Sequence, residues 1–278
     1  MNLARLPLKR RSTVIAAVLV IMLPVTASAV PLIFQASGPD AASIQPTVNA
    51  FRAALGDPNN GNDPGPLATG RREINWDGGG QSTTISGTPF DGFLNIRGAQ
   101  FTTPAPGTGF IQAPPSGLAT TFNNATYGNF ATFSAPRLFS PIGSTLTNVG
   151  FFVPGTNGGT PAATLGFGAV FSDVDTSANA SLSFFNTSGV SQGSFFAPAA
   201  NDGLSFLGVI FPDLIGKVEI LSGNVPLGAG ETGAVDIIVM DDFLYKEPTV
   251  VPEPTTLLLF GASAVGLGLA TRRRHPRR

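Results

Sequence analysis

Leu165-Gly166-Phe167-Gly168-Ala169-Val170-Phe171 is the stretch whose reading decides the fold. Taken as an extended strand, Leu165, Phe167, Ala169 and Phe171 point one way, and Gly166, Gly168 and Val170 point the other. The first set is a core face. Two glycines on the second face imply close packing or a crossing chain, because a strand gives up its side chains where something approaches the backbone. Downstream, Phe206, Gly208 and Ile210 alternate with Leu207, Val209 and Phe211. Large apolar groups on both sides place that strand at the centre of a sheet.

Working outward, the same period of two recurs in short runs. Phe93–Arg97, Asn129–Phe139 and Thr145–Val153 precede the central stretch. Leu182–Phe184, Ser194–Ala197, Val218–Ile220 and Val235–Met240 follow it, the last running into Asp241-Asp242-Phe243-Leu244-Tyr245. Turn residues separate the runs, including Asn157-Gly158-Gly159 and Pro212-Asp213, and Thr103–Leu118 reads as a long Pro-Gly-rich loop. About nine or ten short strands so spaced predict an all-β body, a β-sandwich. One short helix is expected before it, because Ile44, Val48, Phe51 and Leu55 recur at helical spacing and Gly56 can stop the run.

Charge is distributed unevenly. The chain of 278 residues has a formal net charge of -1. Four basic residues precede the first apolar run and five arginines close the chain. The body between them holds seven basic and sixteen acidic side chains, a net charge near -9. Such a surface repels nucleic acid. There is no cysteine, and the one histidine is His275, close to the chain end. A Ser-His-Asp triad, a Cys-His pair and a histidine zinc site are therefore excluded from the body.

Both ends read as targeting segments. A basic lead, the uncharged run Ser12–Pro24 and the small residues Ala27-Ser28-Ala29 form a signal peptide, with cleavage expected after Ala29. An uncleaved membrane helix is the alternative. At the other end, Val251-Pro252-Glu253-Pro254 is followed by an uncharged run from Thr255 to Ala270 and then R-R-R-H-P-R-R. At roughly 1.5 Å per residue this run is slightly short of a hydrocarbon core, and extension through Thr271 with snorkelling arginine stems closes most of the gap. The arginines would stay cytoplasmic.

This tail resembles the tripartite PEP-CTERM sorting signal of surface proteins from Gram-negative, exopolysaccharide-making bacteria. The resemblance implies that Pro252, Glu253 and Pro254 are a recognition triplet for exosortase, a membrane protease. It also implies passage through the secretion translocon and signal peptidase, a transient stay in the inner membrane, and a final place at the cell surface or in the extracellular matrix. An ordinary uncut anchor is the alternative. The second half of the body loosely resembles jelly-roll domains of carbohydrate-binding type. The expected organisation is a signal peptide at 1–29, then a leader with the short helix and a loop at 30–70. A β-sandwich follows at 71–246 and a linker at 247–251. The sorting signal occupies 252–278, with a transmembrane helix over 255–271 and a basic tail over 272–278.

Two constellations in the body invite chemistry. Arg71-Arg72-Glu73-Ile74-Asn75-Trp76-Asp77 holds the only tryptophan. Trp76 as a stacking platform, with Arg72, Asn75 and Asp77 bonding to hydroxyls, would make a glycan contact. In the alternative, Arg72, Ile74 and Trp76 share the core face of a strand and the segment is a structural clasp. Separately, Asp173 and Asp175 end one strand, and Asp241 and Asp242 close another. Brought together they would supply carboxylates to a structural calcium, which takes about six to eight oxygens. Plain turn and surface roles are the alternative. The reading that follows is a non-catalytic exported protein associated with exopolysaccharide, set against a carboxylate-dependent glycan-processing enzyme and a protein-adhesion module.

Overall fold

The computed structural model describes residues 30–228 and 235–251. The signal peptide with Ala27 and Ala29, the Pro252-Glu253-Pro254 triplet and the membrane segment 255–271 lie outside the described residues. Among the described residues, no helix is long and apolar enough to cross a membrane.

In chain order the first strands are β1 (Leu32–Gly38), β2 (Arg71–Ile74), β3 (Thr84–Gly87), β4 (Ala99–Thr102), β5 (Gly109–Ala113) and β6 (Leu138–Ile142). They continue as β7 (Leu146–Phe151), β8 (Ala162–Val174), β9 (Ala180–Asn186), β10 (Ser191–Phe196), β11 (Ala200–Ser222), β12 (Val239–Lys246) and β13 (Thr249–Val250). Among the described residues, three α-helices accompany them: α1 (Ala41–Leu55), α2 (Leu94–Arg97) and α3 (Pro115–Phe122).

The thirteen strands of the described residues make one unclosed sheet, ordered β10-β9-β11-β8-β12-β6-β5-β3 along its main path. β11 organises it. Leu204–Ile210 pairs with β8 on one side and β1 on the other, while Ile215–Ser222 pairs with β9 and Lys217–Leu221 with β7. The sheet neighbours therefore change along one continuous strand. The Pro212-Asp213 turn expected from sequence is part of this strand.

The two faces of β8 separate as the alternation requires. Phe167, Ala169 and Phe171 enter the main core with Leu207, Val209, Val218 and Ile220. Val170 lies on the opposite face with Leu204, Phe206 and the helix residues Ile44, Val48, Phe51 and Leu55. The approaching neighbour implied by the glycines is α1. A Cβ added at Gly168 would lie 2.8 Å from the Phe51 ring, and one at Gly208 would lie 2.7 Å from it. Helix α1 starts where Asp40 accepts from the Ser43 N–H at 2.9 Å, a cap worth about 0.5–2 kcal/mol.

The all-β sandwich with a single helix is corrected by this architecture. Among the described residues the fold is mixed, with three helices and one large sheet. Phe93–Arg97, read as an alternating strand, contains α2, which stops at Gly98 with φ 71°. The expected loop over 103–118 contains the buried strand β5 and the start of α3, where Pro115 occupies the first turn. Asn129–Phe139 is not a strand until Leu138; Tyr127 and Phe130 instead pack with Leu118 of α3 in a satellite core. In each case the packing of a few large side chains outweighed short alternation or Pro-Gly content.

Residues 247–250, expected as linker, join the fold. Glu247 is buried and accepts from Arg72 Nε at 2.6 Å and Nη2 at 2.7 Å, from Asn60 Nδ2 at 2.8 Å and from the Leu67 N–H at 3.2 Å. β13 then pairs with β8.

Candidate functional site

The site grows from a defect in β12. Its pairing with β8 shifts register between Met240 and Phe243. Met240 and Phe243 both enter the main core, so the two residues between them bulge outwards. Asp241 and Asp242 thereby share the face that α1 covers. Both are buried, and Ser134 Oγ lies 3.1 Å from Asp241 Oδ1 and 2.6 Å from Asp242 Oδ1. The Phe133 N–H donates to Asp241 Oδ2 at 2.7 Å. Burial, and then the neighbouring Asp242 charge, hold the Asp241 carboxyl well above the usual carboxylate range. Burial also raises Asp242, against the Ser134 and Asp241 hydrogen bonds and the Arg52 charge.

Helix α1 supplies the next wall. The flank of the helix beside its core stripe carries Gln45, Asn49 and Arg52, spaced by four and three. Gln45 Nε2 donates to Asn49 Oδ1 at 2.8 Å, and Arg52 Nη1 donates to the same oxygen at 3.2 Å. Arg52 Nη2 then reaches Glu73 Oε2 at 2.9 Å and Asp242 Oδ2 at 3.6 Å. Glu73 stands opposite Leu244 in the β2–β12 register, on the α1 side. Arg71 Nε holds its other oxygen at 2.7 Å.

These groups border a polar cleft of about 390 Å³. Gln45 and Arg52 come from α1, Asn59 from the following loop, Glu73 and Asn75 from β2 and its end, and Arg97 from α2. Phe133, Ser134 and Asp242 complete the lining. Arg52 lies over the half-buried Phe133 ring, 5.9 Å from its centroid. Arg97 donates from Nε to Asn62 Oδ1 at 2.7 Å and from Nη1 to the Glu73 carbonyl.

A second cavity, of about 290 Å³, is lined by Asp173, Asp175, Asn201 and Asp202 with Thr126, Asn129 and Phe130. The Asp202 N–H donates to Asp173 Oδ1 at 2.8 Å. Burial raises the Asp173 pKa, and the charges of Asp175, Asp202 and Asp236 add to it.

The four aspartates considered for calcium are thus not brought together. Asp173 and Asp175 line the second cavity, whereas the bulge turns Asp241 and Asp242 towards α1 and Ser134. Among the described residues, no group of three or more histidine, cysteine or acidic side chains is arranged to hold a metal ion.

Of the four residues considered for glycan contact, only Asn75 lines the cleft. Trp76 is 1 % exposed, stacks on Phe139 at 3.9 Å between centroids, and donates from Nε1 to the Asp241 carbonyl at 2.8 Å. Its indole has no face left for a sugar. Arg72 is buried against Glu247, and Asp77 accepts from the Arg137 N–H at 2.9 Å. The clasp alternative describes what Arg72, Ile74 and Trp76 do here.

Sequence reading did not single out Arg52, Arg97 or Ser134. Arg52 had a signal, since Gln45, Asn49 and Arg52 form a polar stripe alongside the apolar one on α1. Arg97 and Ser134 lie where strands were expected, and carried none.

The PEP-CTERM protein-sorting motif matches residues 250–274. No curated protein and no solved structure matches the chain. The chain carries a PEP-CTERM sorting signal, and with it the mark of an exported, cell-surface-directed protein that engages an exosortase-type sorting system.

Proposed function

We propose that this exported chain is a non-catalytic component of the cell surface or matrix whose body holds extracellular polysaccharide in the polar cleft. One observation carries the reading. A single opening gathers three carboxamides (Gln45, Asn59, Asn75), a hydroxyl (Ser134), two guanidiniums and a phenyl ring. Amides and guanidiniums bond to sugar hydroxyls, and an aromatic ring covers an apolar sugar face. The sorting signal supports the compartment in which such a ligand is met.

Hydrolysis is disfavoured by the same geometry. A glycosidase sets two carboxyls on either side of the scissile bond, roughly 5–9.5 Å apart, one of them protonated. Here the two acids of the cleft, Glu73 and Asp242, bind the same Arg52 guanidinium. The carboxyl with the most raised pKa, Asp241, is fully buried beneath them.

A glycan array probed with the full chain in detergent tests this reading, with Asn75→Ala and Arg52→Ala as controls. Binding to a subset of polysaccharides, weakened in both variants and without new reducing ends, is expected. Release of reducing ends would make the chain an enzyme. Binding to no glycan would remove the proposal.

A further inference from the structure

The charges around the cleft are not evenly answered. Arg52 is met by Glu73 and Asp242, Arg71 by Glu73 and Asp57, and Arg72 by Glu247. Arg97 lines the same cleft, yet among the described residues no carboxylate lies within ion-pair distance of it. Of the five N–H donors of its guanidinium, the Nε and one Nη1 hydrogen are used, on Asn62 and on the Glu73 carbonyl. Nη2 makes no hydrogen bond among the described residues.

The side chain is held at its base. Arg97 ends α2, its carbonyl accepts from Tyr245 Oη at 2.9 Å, and Gly98 turns the chain away at φ 71°. Tyr245 is fully buried. The base of the side chain is therefore fixed, and the guanidinium lines the cleft with Nη2 not engaged by the described residues. Burial is the largest effect on the Arg97 cation and works against it; Tyr245 and the Glu73 charge favour the cation, the like charge of Arg72 opposes it, and an incoming anion would favour it further. Arg71 differs. Burial opposes its charge too, but hydrogen bonds to Glu73 and Asp57 more than offset that.

We propose that Arg97 receives the carboxylate of a uronic acid residue, so that the polysaccharide held in the cleft is an acidic one. This rests on the glycan reading of the cleft and adds the ligand class to it. A guanidinium edge and a carboxylate are matched in geometry and charge. Asn75 remains for hydroxyls, and the exposed part of the Phe133 ring beside Arg52 for apolar sugar carbons. The acidic body repels a long polyanion at range, so selection happens at contact, and short oligosaccharides are the right probes.

The test is titration calorimetry of the full chain in detergent with trigalacturonate, its methyl ester, maltotriose and acetate. Trigalacturonate is expected to bind roughly 10- to 100-fold more tightly than its methyl ester or maltotriose, the worth of one charge-assisted hydrogen-bonded pair. Arg97→Gln should abolish that preference and Arg97→Lys should keep part of it, with thermal melts reporting whether each variant is folded. If Arg97→Gln does not fold, the acid-over-ester preference of the folded Arg97→Lys decides, and an unchanged preference there overturns the assignment. Equal binding of acid and ester overturns the acidic ligand while leaving the glycan reading intact. Failure of all three oligosaccharides, or acetate binding as tightly as trigalacturonate, overturns both.

Discussion

Replacing Glu247 with glutamine should destabilise the body severely, although the residue lies in a stretch that reads as linker. Arg72 is fully buried, and its charge is answered by both Glu247 oxygens at 2.6 and 2.7 Å. Its other contacts are the carbonyls of Gly61 at 2.9 Å and Asp63 at 2.7 Å, which satisfy hydrogen bonds but carry no charge. Breaking a buried pair by removing one partner costs about 3–5 kcal/mol, because the remaining ion is left uncompensated. Glu247→Gln does this to Arg72 and also weakens the acceptor for Asn60 and the Leu67 N–H. For a domain of this size each kcal/mol moves Tm by about 2–4 °C, so a fall of roughly 6–20 °C is expected. The assay is thermal unfolding followed by circular dichroism and by fluorescence of Trp76, the only tryptophan. The double variant Arg72→Met, Glu247→Leu removes both charges and should recover much of the loss. A single variant that melts within about 2 °C of the parent, or a double variant worse than the single, would refute the reasoning.

Two further outcomes follow from the packing. Gly168→Ala places a methyl group 2.8 Å from the Phe51 ring and 3.1 Å from the Leu207 carbonyl, so it should cost about 1–3 kcal/mol in urea denaturation. Phe51→Leu in the same chain should lower that increment, whereas additive losses would mean that α1 does not pack there. Asp241→Asn should change how stability depends on pH. A carboxyl whose folded pKa is raised binds its proton more tightly when folded, so its stabilisation is full below the ordinary carboxylate range and is lost as pH rises through the folded pKa. The variant should therefore gain on the parent as pH climbs from the ordinary carboxylate range to neutrality, and a pH-independent difference would count against a buried proton on Asp241.

Much of the sheet was legible in residues of strong alternation. Phe167, Ala169 and Phe171 against Gly168 and Val170 gave both faces of β8, and the missing side chains implied a close neighbour without saying that it is α1. The helix itself followed from Ile44, Val48, Phe51 and Leu55. Alternation failed where runs were short, as at Phe93–Arg97, because a few residues fit a turn of helix as well as a strand. The fold class failed for a related reason. Nothing local to Pro212-Asp213 says that the strand continues through it and changes partners.

The site was less legible still. Two adjacent aspartates on an ideal strand point to opposite faces, and only the bulge at Asp241-Asp242 puts them together. Trp76 was conspicuous for its rarity, but a side chain of that size is as useful to a core as to a ligand, and here the core holds it. Arg97 and Glu247 gain their meaning from partners far away in sequence, Glu73 and Tyr245 for the one and Arg72 for the other.

The most direct test of the account is hydrogen exchange of the full chain in detergent, with and without the polysaccharide made by the producing cells. The account predicts slower exchange confined to the walls of the cleft, in peptides carrying Gln45, Asn59, Asn75, Arg97 and Ser134, and unchanged exchange around Asp173 and Asp202. Protection centred on that second cavity, or none anywhere at saturating polysaccharide, would contradict it.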